Sequence, residues 1–154
     1  NNRYINDEEI CIALAAMWSQ IGVKIKVNAQ PRALYFAKAE KLDTSMYMLG
    51  WGGAITDAET TITPIMRSKG AVAGQYNWGN HNNPKLDELA IASSKEPDAK
   101  KREALVKAVL KEHNDQVHHI PLHRQVIPWA ARSNVSAVHR PDNWLEWQWV
   151  TIAK

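Results

Sequence analysis

Cys11 is the only cysteine in this 154-residue chain. A lone thiol excludes an internal disulfide and a cysteine-based metal cluster. Its position in an apolar helical pattern marks it as an inert, buried thiol. No apolar run is long enough to span a bilayer. The chain starts at Asn1 and shows no signal peptide, but a targeting segment can precede the sequence in hand, so nothing about destination follows. No serine stands in a Gly-x-Ser-x-Gly elbow. A pairing of Asp57 with His123 would lack a nucleophile between them, so the residues offer no hydrolytic machinery. Internal repeats and low-complexity tracts are also missing.

The positive charge is modest and dispersed. The net charge is +3 with a pI near 9.0, and the densest group is Lys100, Lys101 and Arg102 with Lys107 and Lys111. These share a helical pattern with Leu105, Val109 and Leu110, which makes them the solvated face of a helix. A nucleic-acid footprint would gather cations on one surface with aromatics between them, so no nucleic-acid partner is expected. Four histidines, His113, His118, His119 and His123, lie close in sequence. Pro121 breaks any helix between His119 and His123, and no Cys, Asp or Glu stands at ligand spacing with them. Neither a metal site nor a cofactor is expected.

With 45% hydrophobic content over this length, the chain can bury one good core. Helix and strand signals alternate along it. Asn6 with Glu9 resembles a capping box, followed at helical spacing by Ile10, Leu14, Met17, Trp18 and Ile21. Gly22 stands at the C′ position of that helix. Val23, Ile25 and Val27 alternate with Lys24 and Lys26, the pattern of a half-buried strand. Pro31 suits the first turn of a helix reaching about Lys41. The run Ser45-Met46-Tyr47-Met48-Leu49 then reads as a buried strand. This β-α-β order predicts that the strands over residues 23–27 and 45–50 are parallel neighbours.

Residues 68–83 read as loop. Asn83 caps a short helix opened by Pro84, and Pro97-Asp98 precede a longer one reaching about His118. Residues 120–126 have the composition of a strand that Pro121 confines to a start or an edge. Residues 144–154 carry Trp144, Trp147 and Trp149, and Val150 and Ile152 predict one terminal strand.

Gly50-Trp51-Gly52-Gly53-Ala54-Ile55-Thr56-Asp57 is the segment richest in binding chemistry. Glycine lets backbone approach a ligand closely, while tryptophan adds stacking area and one N–H donor. The same residues would also serve as a tight turn beside a core tryptophan.

Together these landmarks resemble the C-terminal part of family 5 extracellular solute-binding proteins, the peptide- and nickel-type receptors of ABC importers. Four elements carry the resemblance in order. They are Gln20-Ile21-Gly22-Val23-Lys24, Gly50-Trp51 after an apolar run, Asn83-Pro84-Lys85-Leu86-Asp87-Glu88-Leu89 after Tyr76-Asn77, and Asp98 through Leu105 followed by Ile120-Pro121-Leu122. Family receptors are much longer, so the resemblance implies a portion of one lobe. The implied fold is α/β, a periplasmic-binding-protein-like lobe of type II in the peptide-receptor class, with an incomplete sheet and flanking helices. Residues 1–133 would form part of the ligand-binding lobe and residues 134–154 a C-terminal return segment, loosely packed or covering an exposed apolar patch.

The resemblance further implies a binding protein rather than an enzyme. Such a receptor closes on a small molecule or peptide between two lobes and delivers it to an ABC permease. It works in the periplasm or lipid-anchored at the outer face of the cytoplasmic membrane. The fragment would be a monomer or weak dimer. Trp51, Gly52, Gly53, Ala54 and Asp57 would line the cleft, with His123 and Gln125 reaching the ligand from one face of the strand after Ile-Pro. Peptide-binding relatives place an aspartate three residues after the tryptophan to take the ligand's amino terminus. Here that position is Ala54, so either Asp57 or Glu59 takes over or the ligand lacks a free amine. A transcription regulator whose sensory part is built on the same lobe is the alternative reading.

Overall fold

A computed structural model of the chain describes residues 3–53, 55–140 and 142–153. It comprises α1 (Asp7–Ser19), α2 (Arg32–Glu40), α3 (Glu59–Thr61) running into a π-helical turn (Ile62–Met66), α4 (Pro84–Lys95) and α5 (Ala99–Asp115). A two-residue strand β1 (Val135–Ser136), a 3₁₀ turn (Trp147–Trp149) and a second strand β2 (Thr151–Ile152) follow. The chain is therefore mixed but helix-rich, with a two-stranded sheet among the described residues. Among the described residues no helix is long and apolar enough to cross a membrane.

The core is built by α4, α5 and the π turn. Ile62, Leu86, Ala90 and Val109 are fully buried together, with Ala58, Met66, Leu89 and Val106 packed around them. Local chemistry fixes both helix starts. The Asn83 side chain accepts from the Leu86 amide at 3.1 Å and Pro84 occupies the first turn, where its missing N–H costs nothing. Asp98 accepts from the Lys101 amide at 2.9 Å. The Asn83 amide also donates to Glu112 on α5 at 3.1 Å, so one residue both caps α4 and ties it to its neighbour. Pro64 lies inside the π turn. Having no N–H to give, it is accommodated by a wider loop that closes through the Arg67 amide on the Ile62 carbonyl at 3.1 Å.

The end of α1 follows the expected chemistry. Gly22 takes φ +84°, its amide donates to Ser19, and the Val23 amide donates to Trp18. That is the double bond pattern of a Schellman cap. The start of α1 differs from the expected capping box. Asn6 adopts a left-handed conformation and makes no side-chain cap bond. The Asp7 carboxylate instead accepts from the Arg3 and Tyr4 amides at 3.3 and 3.4 Å. Met17 and Ile21, expected on the buried face, are exposed. Cys11 is half-buried beside Met48, with 3.6 Å between sulfurs. Burial raises its thiol above the ordinary range and keeps it protonated.

The expected parallel pair is not formed. Residues 23–30 and 45–50 take no strand assignment and make no ladder with each other or with any described segment. Side chains hold the second run in place: the Tyr35 hydroxyl donates to the Met48 carbonyl, and the Tyr4 hydroxyl donates to the Gly50 carbonyl at 3.0 Å. Apolar alternation defines which face of a strand is greasy, but a ladder needs a neighbour at matching register. Residues 120–126 likewise form no strand and are exposed throughout.

The expected terminal strand is present as β2, paired antiparallel with β1 through Val135 opposite Ile152 and Ser136 opposite Thr151. The loop between them is held by Arg140. Its guanidinium donates to Asp142 and to Glu146 and lies 5.6 Å from the Trp149 ring centroid. Trp144, Trp147 and Trp149 are 70%, 77% and 46% exposed, which matches the loose packing expected of this segment.

Asn83→Ala removes both the cap and the bond to Glu112. It should cost about 1–2 kcal/mol by urea denaturation, while Asn82→Ala next to it should cost well under half as much. Equal losses in the two variants would mean that the cap does not hold α4.

Candidate functional site

Residues 49–52 line an open cleft of about 420 Å³, within the roughly 300–1,000 Å³ typical of small-molecule sites, and neither Gly53 nor Asp57 is in its wall. Its wall comprises Leu49, Gly50, Trp51 and Gly52 from the turn, Tyr76 and Trp78 from the loop before α4, Phe36 and Arg32 from α2, and Arg3. The aromatic rings are continuous. Trp51 and Tyr76 lie 5.1 Å apart, Tyr76 and Trp78 5.8 Å, and Trp78 and Phe36 5.6 Å between centroids. These separations suit tilted and edge-to-face contacts.

Glycine is required at two positions of the turn. A Cβ at Gly50 would come within 2.5 Å of the Tyr4 ring, and one at Gly53 within 2.4 Å of the Thr60 hydroxyl and 2.9 Å of the Ile55 carbonyl. Gly52 faces open space. The Trp51 N–H donates to the Thr60 carbonyl at 3.1 Å, so the donor expected for a ligand is already used. Trp51 is 40% exposed and lines the cleft.

Asp57 is also engaged. Its carboxylate accepts from Arg102 on α5 at 2.8 Å and from the Glu59 amide at 2.8 Å. The bond from Arg102 comes first among the causes that hold it below the ordinary carboxylate range. Glu59 differs: one carboxylate oxygen accepts from the Thr63 hydroxyl, and the other is buried without a partner. Of the two acids considered for a ligand amine, Asp57 is already committed to Arg102. Ala54 lies outside the described residues. His123 and Gln125 are exposed in an irregular segment and are absent from the cleft wall. Arg3, Arg32, Phe36, Tyr76 and Trp78 were not legible as site residues, because they come from three separate segments.

The histidines gather elsewhere. His81 from the loop before α4 stacks on His118 at 4.1 Å, and His113 on α5 stacks on His119 at 4.9 Å. Nδ1 of His119 and Nε2 of His113 share a hydrogen bond of 2.8 Å, while Nε2 of His81 donates to the Met66 carbonyl at 3.0 Å. His123 does not take part. Among the described residues no group of three or more His, Cys, Asp or Glu side chains is arranged to hold a metal ion.

Comparison with protein families, curated proteins and solved structures finds no match for this chain.

The histidine cluster makes stability depend on pH. Burial, then the neighbouring imidazoles His119, His81 and His118, lowers His113 from 6.5 to about 4. Burial also lowers His81 and His119. Acids beside the cluster are ion-paired, Asp87 with Arg67 and Glu112 with Lys85, and although the Asp87 charge raises His81, burial outweighs it. The folded state therefore prefers neutral His113, and the unfolded chain binds more protons between about pH 4 and 6.5. Stability should fall as pH drops through that window, by about 2 kcal/mol at pH 5 from His113 alone. His113→Gln should flatten the dependence of Tm on pH between 7 and 5. An equally steep profile in that variant would remove His113 as its source.

Proposed function

We propose that this chain is part of the C-terminal lobe of a family 5 extracellular solute-binding protein, the receptor component of an ABC importer, and that it acts by binding rather than catalysis. The observation that carries the reading is the cleft itself. The Gly-Trp-Gly turn, which the family resemblance assigns to ligand contact, opens onto a wall of four aromatic rings in a volume suited to a small molecule. The cleft is open to solvent, as expected of half an interlobe site.

Two further features support this reading. Residues 23–30 and 45–50 carry strand-like alternation or apolarity in sequence yet are unladdered, which suits a sheet completed by strands outside these 154 residues. Large apolar side chains, including Met17, Ile21, Leu34 and Val126, are exposed, as on a lobe separated from its remaining layers. In such a receptor the ligand would be a peptide or related solute and the partner a membrane permease, with the protein periplasmic or lipid-anchored.

Mass spectrometry of small molecules that co-purify with the full-length protein identifies the ligand, and calorimetry then tests the site. Trp51→Ala in the full-length protein should cost about 1–3 kcal/mol of binding through lost stacking area. The 154-residue chain alone should bind the same ligand in the millimolar range or weaker, since roughly half the contacts face an undiminished loss of translational freedom. Unchanged affinity in Trp51→Ala would remove this turn from the binding site. Tight binding by the isolated chain would overturn the half-cleft reading.

A further inference from the structure

The cleft has a sign of charge as well as a shape. Its wall contains two guanidinium groups, Arg3 and Arg32, and no carboxylate. Both lie over the same ring: Arg3 Cζ is 5.5 Å from the Phe36 centroid and Arg32 Cζ 5.9 Å. Both arginines line the cleft, so positive charge gathers there, and an anion within it is favoured. Among the described residues Arg32 is in ion-pair contact with no carboxylate. It also opens α2 behind Pro31, which supplies no side-chain cap, so the uncapped first turn adds partial positive charge on the same side.

The other polar groups agree with this sign. The Trp51 N–H is taken by the Thr60 carbonyl, and Asp57 is held by Arg102. The turn therefore offers ring surface, and the Arg32 guanidinium supplies N–H donors whose forked geometry matches carboxylate and phosphate oxygens. An ammonium placed here would meet two cations and no acid in the wall.

We propose that this cleft takes an anion carried on a flat apolar body, with the ring lying against Trp51 and Tyr76 and a carboxylate or phosphate directed to Arg3 and Arg32. The inference rests on reading the cleft as a ligand site and adds the ligand's chemical class.

The test titrates the 154-residue chain with naphthalene-2-carboxylate, 2-naphthyl phosphate, 2-naphthylmethylamine, 2-naphthalenemethanol and inorganic phosphate, following the Trp51 indole N–H by heteronuclear NMR. The carboxylate and the phosphate ester should move that resonance with millimolar affinity, and the amine should bind about tenfold more weakly than either. The tighter of the two anions identifies the headgroup. Added salt should weaken the anions and leave the alcohol nearly unchanged. In Arg32→Gln the preference for the carboxylate over the alcohol should fall about fivefold, and Arg32→Lys should restore part of it. Equal binding of amine and carboxylate would overturn the proposed charge preference while leaving the cleft a ligand site. If inorganic phosphate bound as well as the naphthyl anions, the flat body would be wrong. If none of the naphthyl compounds moved Trp51, the reading of the cleft as a ligand site would itself fail.

Discussion

Leu86 and Ala90 of α4 close on Val109 of α5 and Ile62 of the π turn without solvent access, and the Trp51 side of the cleft is tied to that contact through Thr60. Burying these side chains holds the two helices side by side. Asn83 and Glu112 then lock their register from the edge. The π turn that closes the core is the continuation of α3, whose first residues carry the contacts to the Trp51 turn. A cavity at Leu86 would therefore loosen the cleft wall as well as the helical pair.

Two links carry rigidity outward from the core. Arg102 reaches from α5 to Asp57, and the Thr60 carbonyl receives the Trp51 N–H. Between them lies a turn whose glycines at 50 and 53 leave no room for a Cβ. On the far side, Asn77 is buried and its amide donates to the Arg67 and His81 carbonyls. That holds the loop bearing Tyr76 and Trp78 against the core. The aromatic wall is thus supported on both flanks by hydrogen bonds within the helical part of the chain, while α2 brings Phe36 and Arg32 to it from the less buried N-terminal part. Polar groups that the sequence suggested for a ligand are used here to build the wall. The site's remaining chemistry is apolar surface with guanidinium charge.

The N-terminal segments show what this helical core does not supply. Residues 23–30 and 45–50 have the alternation or apolarity of strands yet meet no edge on which to pair. The second run is tied to the chain by contacts from Tyr4, Tyr35 and Cys11. The C-terminal loop is self-contained by comparison, closed by the β1–β2 pair and by Arg140.

What the sequence determined by itself was local. The Asn83 and Asp98 caps, the proline-opened helices and the Gly22 Schellman turn each depend on groups within a few residues of one another, so their chemistry is complete in a short window. The glycine-tryptophan turn was legible for the same reason. Tertiary structure decided the rest. It chose whether apolar runs found a ladder partner, spent the Trp51 donor and the Asp57 carboxylate on Thr60 and Arg102, and brought His81 to the histidines of α5 and the segment after it. It also set Arg3 and Arg32 over one phenylalanine. Hydrogen-bond ladders, ion pairs and ring contacts between distant segments depend on how the chain returns on itself, and residue spacing within a short window carries no record of that path.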